Sequence, residues 1–217
     1  KNDFYQLAEN FQPQINPVYC GIASSVILLN TINDSKKIDS QKDLEITKPK
    51  AFGGGNVAFK SYSQITFLNE KTDKIKNQKI INLQNITKEN ENDGKNFDPG
   101  LSLKDLAKML KTYQLKVKVK YVKKVNEKSL KKFRKLLKTT LAEDKKFLLT
   151  NFNGKVLDLK TGGHISPIAA FDANSDSALI LDVAGHKNGW FWVSIEDLMK
   201  AMNTKDGKNY RGFLVVE

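Results

Sequence analysis

Cys20 is the only cysteine among 217 residues, and two histidines, His164 and His186, are the only imidazoles that could serve it. It lies in a stretch from Asn10 to Asn33 without formal charge, in a chain that is 28% charged. Pro17 favours an extended entry, and Ile22, Ala23, Val26, Ile27 and Leu29 then follow with the density of a nearly fully buried helix. Cys20 is thereby expected in that helix's first turn. Unpaired N–H groups and the positive end of the helix dipole stabilise a thiolate there, the dipole alone by roughly 0.3–1 kcal/mol.

A thiolate nucleophile needs a base, and His164 opens the apolar phrase GGHISPIAAF. Asp182 stands in the next apolar phrase, LILDVA. Counting outward from the turn at 172–176 sets residue 164 roughly opposite 182 to 184 on paired strands, so a carboxylate would orient the imidazole while its other nitrogen faces the thiol. Gln14, six residues before Cys20, could add an amide N–H to the Cys20 N–H as an oxyanion hole. The chemistry of such a set is acyl transfer through a thioester. His186, in the loop AGHKNGW, is read as surface or substrate-side rather than catalytic.

The elements that must hold these residues follow from periodicity. A short helix is expected at 3–10 and the cysteine helix after it. Ser102 with Asp105, followed by Leu103, Leu106, Ala107 and Leu110, marks a capped amphipathic helix. Leu130, Phe133, Leu137 and Leu141 mark a second, and Ser194 with Asp197, then Ile195, Leu198, Met199 and Met202, a third. Strands are expected at 115–121, 147–151, 164–171, 178–184, 190–193 and 213–216. The triplet Gly53-Gly54-Gly55 lacks the Gly-Lys-Ser/Thr of a phosphate loop and reads as a loop, and 84–100 as a polar surface insertion. This order predicts an α+β protein, one unit over 1–217, helical to about 145 and mainly antiparallel sheet thereafter.

Composition removes other classes. One cysteine excludes an intramolecular disulfide and a cysteine-rich metal domain. The net charge is +12, but 34 of 36 basic residues are lysines spread along the chain, without the arginine and aromatic interleaving of a nucleic-acid reader. The uncharged run is broken by Pro17, Asn30 and Asn33 and holds only about a dozen helical residues, short of the roughly 20 a membrane span needs. The chain begins at Lys1 with no apolar signal region, which leaves the compartment open, cytoplasmic or exported.

The segments NPVYCGIASSVILLN, GGHISPIAAF, LILDVA and WFWVSIEDLMKAMNT followed by YRGFLVV, with the weaker PGLSLKDLAKML, resemble the phytochelatin synthase family. These are papain-fold cysteine enzymes that act on glutathione. The resemblance implies a papain-like fold, Cys20, His164 and Asp182 as triad, and Gln14 as oxyanion residue. Glutathione is the implied partner and no intrinsic cofactor is expected; Cd²⁺ or Zn²⁺ would enter as the glutathione thiolate complex. A homodimer is left open. Gly163, beside the histidine, and Arg211, one of two arginines, are expected to contact substrate. The chain departs from the family after Ala184, where Gly185-His186-Lys187-Asn188-Gly189 replaces an arginine and a basic, aromatic, proline-rich stretch that borders the acceptor site. Short bacterial relatives resemble glutathione hydrolases more than polymer-building synthases, so hydrolysis is the favoured outcome. A papain-like peptidase of the leader-cleaving type and a non-catalytic basic binding module are the alternatives.

Overall fold

The computed structural model describes residues 2–32, 45–47, 49–58, 61–77 and 100–217. The insertion expected at 84–100 lies, apart from Gly100, outside them. Helix α1 (Asn2–Glu9) leads through an irregular segment to α2 (Cys20–Ile32), in which Gly21 to Thr31 are all buried. Gly21 allows close docking, since a Cβ there would already touch Ile165, Leu101 and Leu106 at 3.4–3.5 Å. The glycine triplet lies between the short strands β1 (Glu45–Thr47) and β2 (Asn56–Ala58), with φ of 92°, 60° and 83° that side chains other than glycine's rarely allow. A short helix, α3 (Glu70–Asp73), follows.

From residue 100 the elements follow the expected periods. Helix α4 (Leu103–Thr112) starts where the Ser102 hydroxyl accepts the Asp105 N–H. Strand β3 (Val117–Tyr121) precedes α5 (Glu127–Thr140), whose start is set by a capping box between Asn126 and Ser129. Then come β4 (Phe147–Asn153), β5 (Gly163–Asp172), β6 (Ser177–Ile180), β7 (Phe191–Ser194), α6 (Ile195–Met202), β8 (Lys205–Asp206), β9 (Asn209–Tyr210) and β10 (Gly212–Val216). Trp190, expected to open β7, instead packs edge-on against Phe4 and Phe11.

Among the described residues, the main sheet has six strands in the order β3-β10-β4-β5-β6-β7, each antiparallel to its neighbours. Strand β3, expected within the mainly helical part, lies at one edge of this sheet beside β10. Period-two alternation assigns each side chain to a face. Phe147, Leu149, Leu214 and Val216 join α1, α2 and α4 in one apolar cluster, whereas Leu148, Phe152, Phe213 and Val215 join α5 and α6 in another. Each fully buried leucine, valine or phenylalanine contributes about 1.5–3 kcal/mol relative to exposure. The expected helical lobe facing a sheet lobe is therefore an α+β arrangement with helices on both faces of one sheet. Among the described residues, no helix is long and apolar enough to cross a membrane.

Candidate active site

Helix α2 begins at Cys20 itself, so its thiol occupies the first turn. The approach is tied by Asn16, whose Oδ1 accepts from Val18 N–H at 3.2 Å and whose backbone O accepts from Tyr19 N–H at 3.0 Å. The buried Ser24 hydroxyl donates to Ile165 O at 3.0 Å, which pins that turn to β5 one residue from His164. Hydrogen bonds from His164 and from the backbone N–H groups of Ile165 and Gly21 reach the sulfur.

His164 is 4% exposed and sits at the start of β5, with the ring of Phe152 edge-on at 5.6 Å between centroids. Its Nε2–H donates to Asp182 Oδ1 at 2.6 Å, which leaves Nδ1 for the thiol. Asp182 also accepts from the Ala184 N–H at 2.8 Å on Oδ1 and from Asn188 Nδ2 at 3.0 Å on Oδ2. The expected strand 178–184 is shorter: the ladder has an irregularity between Ile168 and Ala170 and ends at Ile180. Leu181 N–H still reaches Pro167 O at 3.1 Å, so Asp182 arrives from a segment just leaving the sheet.

Burial opposes ionisation of Cys20, but the hydrogen bond and charge of His164, with the Ile165 and Gly21 N–H groups, outweigh it and hold the thiol below its ordinary value. Burial likewise opposes the imidazolium, yet hydrogen bonds to Asp182 and Cys20 and their charges push His164 up to about 9. Desolvation of Asp182 is outweighed by His164, the Ala184 N–H and Asn188, so its carboxyl lies below the usual range. These shifts all favour the charged form of each group, and the three are coupled through His164.

Gln14 is buried and its N–H donates to Val183 O at 2.8 Å, beside Asp182. Its amide is not free as expected for an oxyanion donor, because Nε2 donates to Asn16 O and Pro17 O, both at 2.9 Å. Its Oε1 has no partner among the described residues. An oxyanion would have to take over one of those two N–H groups.

Cys20 and His164 border a cavity of about 240 Å³ whose wall also includes Leu101, Ser102, Asn151, Gly163, Asp206 and Arg211. Arg211 lies against Gly163, donates through Nη1 to Lys205 O and approaches Asp206 Oδ1 at 3.6 Å through Nη2. Its buried Nε has no partner among the described residues. Asn151 Nδ2 donates to Asp206 Oδ2 at 2.9 Å. Asn151, Asp206 and Gln64, described below, escape sequence reasoning, because single polar residues 49 to 55 positions from some of their partners carry no periodic or motif signal, and Asn188 escapes it although its partner Asp182 is near in sequence. The one available cue was Asn188's place in the segment after Ala184. His186 is exposed, outside this group. Among the described residues, no three His, Cys, Asp or Glu side chains cluster so as to hold a metal ion.

A family model for phytochelatin synthase matches residues 1–213. Glutathione gamma-glutamylcysteinyltransferase 2 of Arabidopsis thaliana is 23% identical over 229 residues, covering 98% of this chain and 39% of that protein. Glutathione gamma-glutamylcysteinyltransferase 1 of Lotus japonicus is 27% identical, with 98% and 35% covered. The glutathione gamma-glutamylcysteinyltransferase of Schizosaccharomyces pombe is 24% identical, with 99% and 43% covered. The chain thus spans less than half the length of these relatives. With a family model matched along nearly its whole length, the chain belongs to the phytochelatin synthase family.

Proposed function

We propose that this chain cleaves the Cys-Gly amide of glutathione through a γ-glutamylcysteinyl thioester on Cys20, on a papain-like arrangement of helix and sheet. The observation that carries the reading is the line Cys20–His164–Asp182, whose first two members border a small cavity also lined by Arg211. The Cys20 thiolate forms the C–S bond, and the tetrahedral oxyanion is met by the Cys20 N–H and by Gln14 once its amide exchanges a carbonyl partner. The C–N bond then breaks and His164 gives its proton to the departing glycine amine. Asp182 holds the imidazole in place throughout.

Water, deprotonated by His164, then cleaves the thioester to γ-Glu-Cys and regenerates the thiol. The amine of a second glutathione, free or as a Cd²⁺ or Zn²⁺ thiolate complex, gives a chain longer by one γ-Glu-Cys unit instead. Hydrolysis is the main outcome, because Gly185-His186-Lys187-Asn188-Gly189 stands where the family resemblance puts an acceptor-binding stretch. Arg211 grips the α-carboxylate of the γ-glutamyl group, and Asp206 meets its ammonium. A cavity of about 240 Å³ ending at this charged pair suits a small substrate with a zwitterionic head better than the extended peptide of a leader-cleaving peptidase.

The test is incubation with millimolar glutathione, with and without Cd²⁺, beside Cys20→Ala, with products identified by mass. Glycine and γ-Glu-Cys are expected, with longer products in the minority. Absence of any Cys20-dependent product overturns the reading.

A further inference from the structure

The segment that leads to Cys20 has no regular hydrogen bonding of its own, yet three of its four residues from Gln12 to Ile15 are held by one side chain. Gln64 is 2% exposed. Its Oε1 accepts the Ile15 N–H at 3.0 Å, and its Nε2 donates to Pro13 O at 2.8 Å and to Gln12 Oε1 at 3.0 Å. The residues on either side of Gln14 are therefore fixed through their backbones by one buried amide. From the other side, Val183 O takes the Gln14 N–H at 2.8 Å.

Gln64 is itself firmly placed. Asn30, near the end of α2, exchanges two hydrogen bonds with the Tyr62 backbone, at 2.7 and 3.1 Å. Ser63 and Thr66 bond to each other, and the fully buried Phe67 stacks on Tyr113 at 5.2 Å. A path of short contacts thus runs from α2 through Tyr62 and Gln64 back to the approach to that same helix. With its neighbours clamped, Gln14 keeps only side-chain rotation, the motion needed to turn an N–H from a carbonyl toward an oxyanion.

We infer that Gln64 is a positioning residue for acyl transfer, whose amide holds Gln12 to Ile15 so that Gln14 can serve the oxyanion. The inference rests on the proposed thioester chemistry. A displacement of about 1 Å in such a group can cost on the order of 100-fold in rate. The Cys20–His164 pair is held by α2 and β5 instead, so Gln64 acts on the transition state and leaves the nucleophile alone.

The experiment compares wild type, Gln64→Met, which keeps the volume without the hydrogen bonds, and Gln64→Glu, which keeps only the acceptor for Ile15. Glycine release gives kcat and KM, and iodoacetamide alkylation across pH reports Cys20. The expected result is a kcat lowered by about 10- to 100-fold, an unchanged KM and an unchanged alkylation profile in whichever variant is folded by circular dichroism. A folded variant with wild-type kcat overturns the inference, and so does one whose alkylation profile moves. Wild-type protein that releases no glycine overturns the thioester reading and the inference with it.

Discussion

Asn188 donates its Nδ2–H to Asp182 Oδ2 at 3.0 Å, on the carboxylate oxygen that His164 does not use. With the Ala184 N–H on Oδ1, both oxygens of a nearly inaccessible carboxylate are engaged. Asn188 belongs to the segment that departs from the family resemblance after Ala184, so a stretch proposed to weaken acceptor binding also braces the residue behind the histidine. Asn188→Ala should lower kcat/KM by about tenfold, close to the lower end of the roughly 1.5–3 kcal/mol typical of a hydrogen bond to a charged group. A folded Asp182 below its unfolded value contributes stability above the unfolded value that is lost as pH falls through the folded one. Removing Asn188 raises the folded value, so acid unfolding followed by circular dichroism should begin at higher pH. Asn188→Asp, which sets a like charge beside Asp182, should move it further.

The thiol held down and the imidazole held up define the pH window of the ion pair. Alkylation of Cys20 should remain fast below the ordinary thiol range, and in His164→Asn its onset should move upward. Turnover should fall as pH rises through about 9, where His164 loses the proton owed to glycine. The same group, raised from 6.5, adds stability that is complete below 6.5 and disappears as pH rises through about 9. With two histidines in the chain, proton NMR can follow each ring. Cys20→Ser should lower the His164 value by removing the thiolate charge.

Gly163 is required by its neighbour. A Cβ at this position would overlap Arg211 Nη2, the far end of a flexible side chain, so Gly163→Ala should leave thermal stability nearly unchanged. It should displace the guanidinium and raise KM for glutathione, as Arg211→Ala should. Arg211→Lys should recover little, because an ammonium cannot make the two-pronged contact. Wild-type KM in both Gly163→Ala and Arg211→Ala would remove this corner from the substrate site.

Gly212 gives the opposite case. A Cβ there would run into the Lys120 carbonyl oxygen and lie 2.9 Å from Tyr121 Cα, both backbone atoms of the paired strand β3. Gly212→Ala should therefore lose about 1–3 kcal/mol of stability in urea unfolding. Activity per folded molecule should survive better than in Gly163→Ala.

Much of this arrangement was legible in the sequence because it was written in periods and caps. Ser102 and Ser194 announced α4 and α6, and alternation exposed β3 with its lysines outward. The helix-start cysteine and the His164–Asp182 encounter followed from a proline entry and from counting across a turn. The route of that encounter did not, because an irregular pairing and an early strand end have no compositional mark. Gln14 marks a second limit, since its position could be read but the carbonyls that claim its N–H groups could not. The partner of β3 was not legible either, because it pairs with β10, the last strand, a contact between distant parts of the chain.

The sheet also divides the protein by what a substitution can affect. None of the residues bordering the cavity belongs to the apolar cluster beneath α5 and α6, whereas the opposite cluster includes Leu101 and Ile165 and is packed by Cys20. Sequence drift under α5 and α6 should therefore change how much protein accumulates, and drift around α2 how fast each molecule turns over. Phe152 joins the two regimes, since it is anchored in the α5–α6 cluster while its ring meets His164. In a saturation scan it should stand out among its cluster neighbours as the position where abundance and turnover fall together.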